Sequence, residues 1–255
     1  MHSLVIARYS ENVDWLVQVP DNYEIFLYNK GEPIQSPELL KRVNHIIDRP
    51  NMGRESETYL HHMMTVKRMD HDFTVFAQGD PFEHSPDFLP LLDTWVEWDK
   101  VQALSWQWMA ERNIPPASLL DDYMPLLKGG LRVRPERYSL ITWGPLDFTD
   151  AGASGMSMVY RLLHGNPPEG INVAGHYLRS CGLDELADKA EAHTVGVFSY
   201  GAIFAVRNDL IARFPQHGLD AMRNLANTGV TVYGYVLERL WLHLFGQEFL
   251  VPKQR

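Results

Sequence analysis

The chain has 255 residues, 45% of them hydrophobic, which is enough for one sizeable core. Its 23 Lys and Arg against 32 Asp and Glu give a formal charge of −9, which argues against a broad duplex-binding groove built on phosphate neutralisation. The single cysteine, Cys181, rules out an intrachain disulfide and a multi-cysteine metal knot, and suits a reducing, cytoplasmic setting.

Residues 3–7, SLVIA, form the first apolar run and predict a strand, with a polar edge from Arg8 to Asn12; residues 13–19 predict a short helix. Residues 23–28, YEIFLY, predict a second strand closed by Asn29-Lys30-Gly31. Residues 39–47 read as a helix or a helix-to-strand passage that ends before Pro50. Over 56–69, Tyr59, Leu60, Met63, Met64 and Val66 recur at helical spacing, and the stretch is long enough for a crossover.

Residues 73–77, FTVFA, read as a buried strand, because β-branched and aromatic side chains pack well in a sheet. Gln78-Gly79-Asp80-Pro81 stops it: Pro81 fixes its own φ and disfavours helix at Asp80. Gln78, Asp80, Glu83 and His84 are thereby expected near a strand's carboxyl end, the edge where open α/β sheets bind ligands.

Residues 88–98, 106–111 and 119–127 predict helices, so 88–127 reads as a helical layer rather than a new sheet. Gly152, Ala153, Ser154 and Gly155 read as a flexible turn leading into a short helix, and 181–191 as another short helix. Residues 194–206 predict a late strand or strand pair. Asn208 is the expected cap of a helix over 209–214, and 219–225 predicts a further one. The last long helix is expected over 232–245, packed through Leu237, Leu240, Trp241 and Leu244 and stopped by Gly246. No run approaches the roughly 18–20 apolar residues of a membrane-spanning helix, and the start has no signal-peptide pattern.

The chain lacks a G-x-G-x-x-G dinucleotide loop, a phosphate-binding P-loop, a G-x-S-x-G nucleophile elbow and an H-E-x-x-H zinc helix. It does carry YNKG at 28–31, PNMGRESETYLHH at 50–62, FAQGDPFEH at 76–84, GAIFAV at 201–206 and LERLW at 237–241. In these pieces it resembles an uncharacterised fungal and bacterial domain family with features of A-type nucleotide-sugar glycosyltransferases. The order of an Asn51-x-Gly53 turn, a helix, a strand and an acidic turn carries the wider likeness; Gln78 stands where a first aspartate is usual.

The resemblance implies an α/β fold, a single mixed, mostly parallel sheet flanked by helices in one domain over 1–255. Residues 1–87 would be the nucleotide-binding half, 88–127 the helical layer and 128–250 the acceptor-side half. It implies transfer of a sugar from a nucleotide-sugar to a hydroxyl acceptor, a small molecule or a modified nucleobase. The DNA option rests on Arg132, Arg134 and Arg137 and is opposed by the net charge. Donor binding would fall to Arg8, Tyr9, Lys30, Asn51, Gly53, Arg54, Gln78 and Asp80, because growing charge on a diphosphate leaving group needs cations or a metal. Asp80, Glu83 and His84 would hold Mn²⁺ or Mg²⁺.

Glu238 is the first choice of general base and Asp147 the second, with Trp143, Tyr200 and Trp241 on the acceptor side and Trp106 and Trp108 as further stacking surfaces. The plainer reading of Glu238 is a buried Glu-Arg pair. Of His61 and His62, one would face the core and one the site, while His176 and His243 read as loop and packing residues. Two other functions fit the same residues: a non-catalytic nucleotide- or sugar-binding protein, and a metal-assisted hydrolase using Asp80, His84 and His61 or His62.

Overall fold

A computed structural model describes residues 1–105, 135–165 and 170–250. The predicted helices over 106–111 and 119–127, together with Trp106, Trp108, Arg132 and Arg134, lie outside these residues.

The opening follows the apolar runs. Strand β1 (His2–Arg8) pairs in parallel with β2 (Tyr23–Asn29), which pairs in parallel with β3 (His45–Asp48). A short 3₁₀ turn over Asp14–Gln18 and helix α1 (Pro37–Arg42), capped by the Ser36 hydroxyl, make the connections. Helix α2 (Arg54–Thr65) then crosses over to β4 (Phe73–Gln78), which returns in parallel to the other side of β1. Along β1 the side chains alternate between two apolar layers, Val5 and Ala7 on one face and Leu4 and Ile6 on the other. Burial on both faces is why the run is continuously apolar rather than alternating.

The expected helical layer is only partly helical. After α3 (Phe88–Leu92) and a 3₁₀ turn over Trp95–Glu97, β5 (Val101–Ala103) joins the edge of the main sheet. The region was read as a helical layer, but the buried triplet Val101-Gln102-Ala103 is an edge strand. Next come β6 (Glu136–Ser139) and α4 (Ala151–Leu163). The turn expected at Gly152–Gly155 is the first part of α4, because the Asp150 carboxylate accepts the Ala153 N–H and caps the helix. Two further helices follow, α5 (Val173–Ser180), which was not expected, and α6 (Asp184–Glu191).

The late apolar run divides between two sheets. Strand β7 (Val195–Phe198) pairs antiparallel with β6 in a two-stranded ribbon. Strand β8 (Phe204–Arg207) lies antiparallel between β4 and β5. The main sheet order is thus β3-β2-β1-β4-β8-β5, mixed and mostly parallel. Helices α7 (Asn208–Arg213), α8 (Gln216–Ala226) and α9 (Val232–Leu244) follow. Asn208 does not cap α7; its amide bridges Thr74 and Asp70 instead. Helix α9 ends before Gly246, whose φ of +107° lies outside the range of ordinary L residues. It packs against α2, α4 and β7, and Leu237, Leu240, Trp241 and Leu244 are buried as expected. Among the described residues no helix is long and apolar enough to cross a membrane.

Candidate functional site

Strands β1, β2 and β4 end level with one another, Ala7 beside Gln78 and Arg8 beside Asn29. The chain adds β2 and β3 on one side of β1 and then crosses to place β4 on the other. A crevice opens outside the carboxyl ends at such a reversal. Here a cavity of about 170 Å³ is bordered by Arg8, Tyr9, Glu11 and Lys30 from the strand ends and by Asn51 and Arg54 at the start of α2. Through Arg54, Glu55 and Gln78 it continues into a second cavity of about 270 Å³, which reaches His84, Asp150, Tyr200 and Glu238.

Glu238 is held on both oxygens. Its Oε1 accepts the Gly201 N–H at 2.9 Å, and its Oε2 lies 3.3 Å from the Arg239 guanidinium. Arg239 is fully buried, donates to Asp150 Oδ2 at 2.9 Å and to the Trp143 carbonyl at 3.1 Å, and stands 4.6 Å over the Phe198 ring. The Glu238 side chain keeps 14% of its surface exposed. Burial pushes its pKa above the usual carboxylate value, against the opposing pull of Arg239 and the Gly201 N–H, with Glu55 and Asp150 adding repulsion. A carboxylate that is oriented, reachable and more basic than usual is suited to accepting a proton. A buried Glu-Arg pair is also present, with Arg239 as the arginine.

The loop that supplies Gly201 is equally constrained. Gln78 Nε2 donates to the Gly201 carbonyl at 2.9 Å, so the β4 edge and α9 grip the same residue from two sides. Gly201 has φ +69°, and a Cβ there would stand 2.6 Å from His84 Cδ2. Ala202, Arg54 and Trp143 have φ of +56°, +51° and +66°, and among the described residues they are the non-glycine residues with positive φ. All three adjoin the Glu238 site: Arg54 lines it, Ala202 follows Gly201, and Trp143 accepts from Arg239. Sparsely populated backbone of this kind costs about 1–3 kcal/mol per residue and gathers at functional sites.

The expected donor cations are not equivalent. Arg8 spends its guanidinium on Asn29, the Glu32 carbonyl and the Glu11 carbonyl. Lys30, 4% exposed at its side chain, donates to the carbonyls of Met52 and Arg54 and faces Glu57 at 3.8 Å. It braces the Gly53 turn rather than offering a free charge; burial lowers its pKa, with Glu57 and Glu55 opposing. Gly53 is needed for that turn, since its φ is +61° and a Cβ would lie 2.5 Å from the Ala226 carbonyl oxygen. Arg54 remains the accessible cation, 47% exposed at its side chain, 3.5 Å from Glu55 and 5.4 Å from the centre of the Tyr235 ring.

Several expected site residues are elsewhere. Asp80 is exposed and lines neither cavity; its Oδ1 accepts the Phe82 N–H in a local turn. Glu83 and His84 do reach the second cavity, but among the described residues no group of three His, Cys, Asp or Glu is placed to hold a metal. Asp147 is exposed and paired with Arg137 at 2.6 Å, so the second choice of base is not at the cavity. Trp143 and Trp241 are each 1% exposed. Trp143 packs on Tyr138, and Trp241 stacks on Phe204, so neither offers a face to a sugar; Tyr200 lines the cavity.

His61, His62, His176 and His243 line neither cavity. His62 is buried with its Nδ1 3.0 Å from the Tyr28 hydroxyl, and burial lowers its pKa to about 3. His243 accepts the Val197 N–H on Nε2 and donates from Nδ1 to the Gln247 carbonyl, its pKa lowered to about 4 by burial. His176 lies 2.8 Å from the Tyr160 hydroxyl.

Sequence reasoning missed Glu11, Glu55, Asp150 and Tyr235 at the cleft, and Arg239 behind it. Asp150 had a usable signal: an aspartate directly before a run of small helix-compatible residues is an N-cap pattern. Tyr235 had one as well, three residues before Glu238 and hence on the same face of α9. No family model, no curated protein and no solved structure matches this chain.

Proposed function

We propose that the chain is a glycosyltransferase that moves a sugar from a nucleotide-sugar donor to a hydroxyl acceptor, on a sheet of the A-type nucleotide-sugar transferase kind. The observation that carries this is the cleft running from the carboxyl ends of β1, β2 and β4 to Glu238, a reachable carboxylate of raised pKa. In this reading the donor lies over Tyr9 and Asn51. Its phosphates point at Arg54 and the amino end of α2, where free N–H groups and the helix dipole favour negative charge. The acceptor occupies the second cavity and gives its hydroxyl proton to Glu238, while Arg54 steadies the charge that grows on the departing nucleotide. No step is routed through a metal.

A second reading is a non-catalytic nucleotide- or sugar-binding protein. It is favoured by Asp80 standing outside the cleft and by Gln78 spending its amide on Gly201. A thermal-shift screen of nucleoside diphosphates and their sugars, with and without Mn²⁺ or Mg²⁺, separates these readings when followed by product analysis. Selective stabilisation by one nucleotide-sugar and transfer lost in Glu238→Gln support the enzyme; stabilisation without turnover supports the binding protein. Silence to every nucleotide, with every metal, defeats both.

A further inference from the structure

Gln78 lines both cavities and so stands at their junction. Side chains alternate along a strand, which turns Gln78 to the same face of β4 as Phe76. Phe76 packs on Tyr59 and Phe204, in the apolar layer that α2 and α9 share. On that face the Gln78 amide has one hydrogen-bond partner, the Gly201 carbonyl at 2.9 Å. A carbonyl oxygen only accepts, so the nitrogen end of the amide is the end turned toward it. A carboxylate of the same length could not make this bond.

The rest of the Gly201 loop is held from elsewhere. Ser105 Oγ donates to the Tyr200 carbonyl, and the Ser199 hydroxyl and the Leu104 N–H donate to the Ile203 carbonyl. Gly201 itself is held at both ends by side chains of the cleft, Gln78 on its carbonyl and Glu238 on its N–H. Its φ of +69° and ψ of 13° are left-handed. Glycine enters that region about as readily as the right-handed one, so the two hydrogen bonds decide which way its N–H faces.

We propose that Gln78 is a positioning residue for Glu238: from the donor side of the cleft it holds the Gly201 turn so that the Gly201 N–H meets the carboxylate. Naming Glu238 the base rests on the transferase reading; the clamp on Gly201 does not.

Loss of the clamp has a definite sign. The Gly201 N–H favours ionised Glu238, so a Gly201 free to turn away leaves a carboxyl of higher pKa. The charged groups around Glu238 are Arg54 and Glu55 from α2, Glu83 and His84 from the turn after β4, Asp150 at the start of α4 and Arg239 on α9 itself. Tyr59, Tyr200 and Tyr235 are its other titratable neighbours. The Gln78 side chain hydrogen-bonds to none of these, so an uncharged replacement reaches Glu238 through Gly201.

The test is a carbon NMR titration of the Glu238 carboxyl in the full chain and in Gln78→Met, which keeps the side-chain length and adds no charge. In the unaltered chain the Glu238 carboxyl, the Gly201 amide and the Gln78 side-chain amide are expected to titrate with one midpoint. In Gln78→Met the Glu238 midpoint is expected to rise by about one pH unit, the size of a lost hydrogen bond to a charged group. The Gly201 amide is expected to exchange with solvent at least about tenfold faster, while Leu104 keeps its rate. An unchanged Glu238 midpoint overturns the proposal, and so does equal acceleration at Gly201 and Leu104, the mark of a general loosening. Should Gln78→Met not fold, the unaltered chain decides alone: a Gln78 side-chain amide that ignores the ionisation of Glu238 overturns the clamp. No nucleotide, sugar or turnover enters, so failure here leaves the transferase reading standing, and a silent nucleotide screen leaves the clamp standing.

Discussion

Glu238 Oε1 accepts the main-chain N–H of Gly201 at 2.9 Å, joining the last long helix to a left-handed turn 37 residues earlier in the chain. The same glycine's carbonyl takes a hydrogen bond from Gln78, 123 residues away. One residue of loop therefore fixes the candidate base to the edge of the parallel sheet, where the cleft begins.

Replacing Glu238 with glutamine is the direct test of its role. Glutamine keeps the size and can still accept from Gly201, so folding stability and nucleotide-sugar affinity should change little. Turnover should fall about 10²- to 10⁴-fold, the usual contribution of a general base. Product analysis beside a binding isotherm separates the two quantities, and an unchanged rate removes Glu238 from the chemistry.

Gly201→Ala should destabilise the fold. The new methyl must occupy φ +69° and press on His84 Cδ2 from 2.6 Å. A loss of about 1–3 kcal/mol is expected in urea unfolding, the range for incompatible backbone and overpacking. The variant should also lose ligand response at the Glu238 cavity more than at Tyr9.

Arg239→Met leaves Asp150 and Glu238 without the guanidinium they share. Arg239 has no exposed side-chain surface, so the lost partner cannot be replaced by solvent without opening the core. Stability should drop by about 3–5 kcal/mol, as when one member of a buried ion pair is removed. Lysine should rescue little, because a single ammonium cannot reach Asp150, Glu238 and the Trp143 carbonyl in a fork.

Glu57 is a second buried anchor, 2% exposed, with Arg49 at 2.5 Å, Arg223 at 3.4 Å and Lys30 at 3.8 Å. It ties β2, α2 and α8 together beneath the Gly53 turn. Glu57→Gln should cost about 2–4 kcal/mol and loosen Asn51 and Arg54. Hydrogen exchange at the start of α2 would show the loosening, and unchanged exchange would count against that coupling.

Stability should fall on mild acidification. His62 and His243 have folded pKa values lowered to about 3 and about 4, against 6.5 when unfolded. Their stabilising share is complete above pH 6.5 and declines as pH drops toward the folded values, because only the unfolded chain takes up protons there. Between about pH 7.5 and 5 each should contribute a loss of about 2 kcal/mol. Urea midpoints across that window measure the slope, and His243→Gln should flatten it.

How much of this the sequence shows depends on how local the cause is. The Phe73 strand, the Gly53 turn and helix α9 were legible because apolar spacing, glycine and proline act on their immediate neighbours. Strand β5 fell unnoticed inside the region 88–127 read as a helical layer, because three residues are too few to display a period. The division of 194–206 between two sheets was hidden because strand partners are chosen by sheets formed elsewhere in the chain.

By itself, then, the sequence determined a chain that alternates strands and helices from its start, gathers polar residues at strand ends and sets Glu238 on an apolar helix. Only the tertiary structure decided that Asp150 rather than Asp147 stands beside Glu238, that Asp80 faces outward, and that Trp143 and Trp241 serve the core. The reason is physical: residue type and spacing set local conformation, whereas the direction of a side chain toward a cleft is set by the packing of α9 on α2, α4 and β7, elements that meet only when the chain is folded.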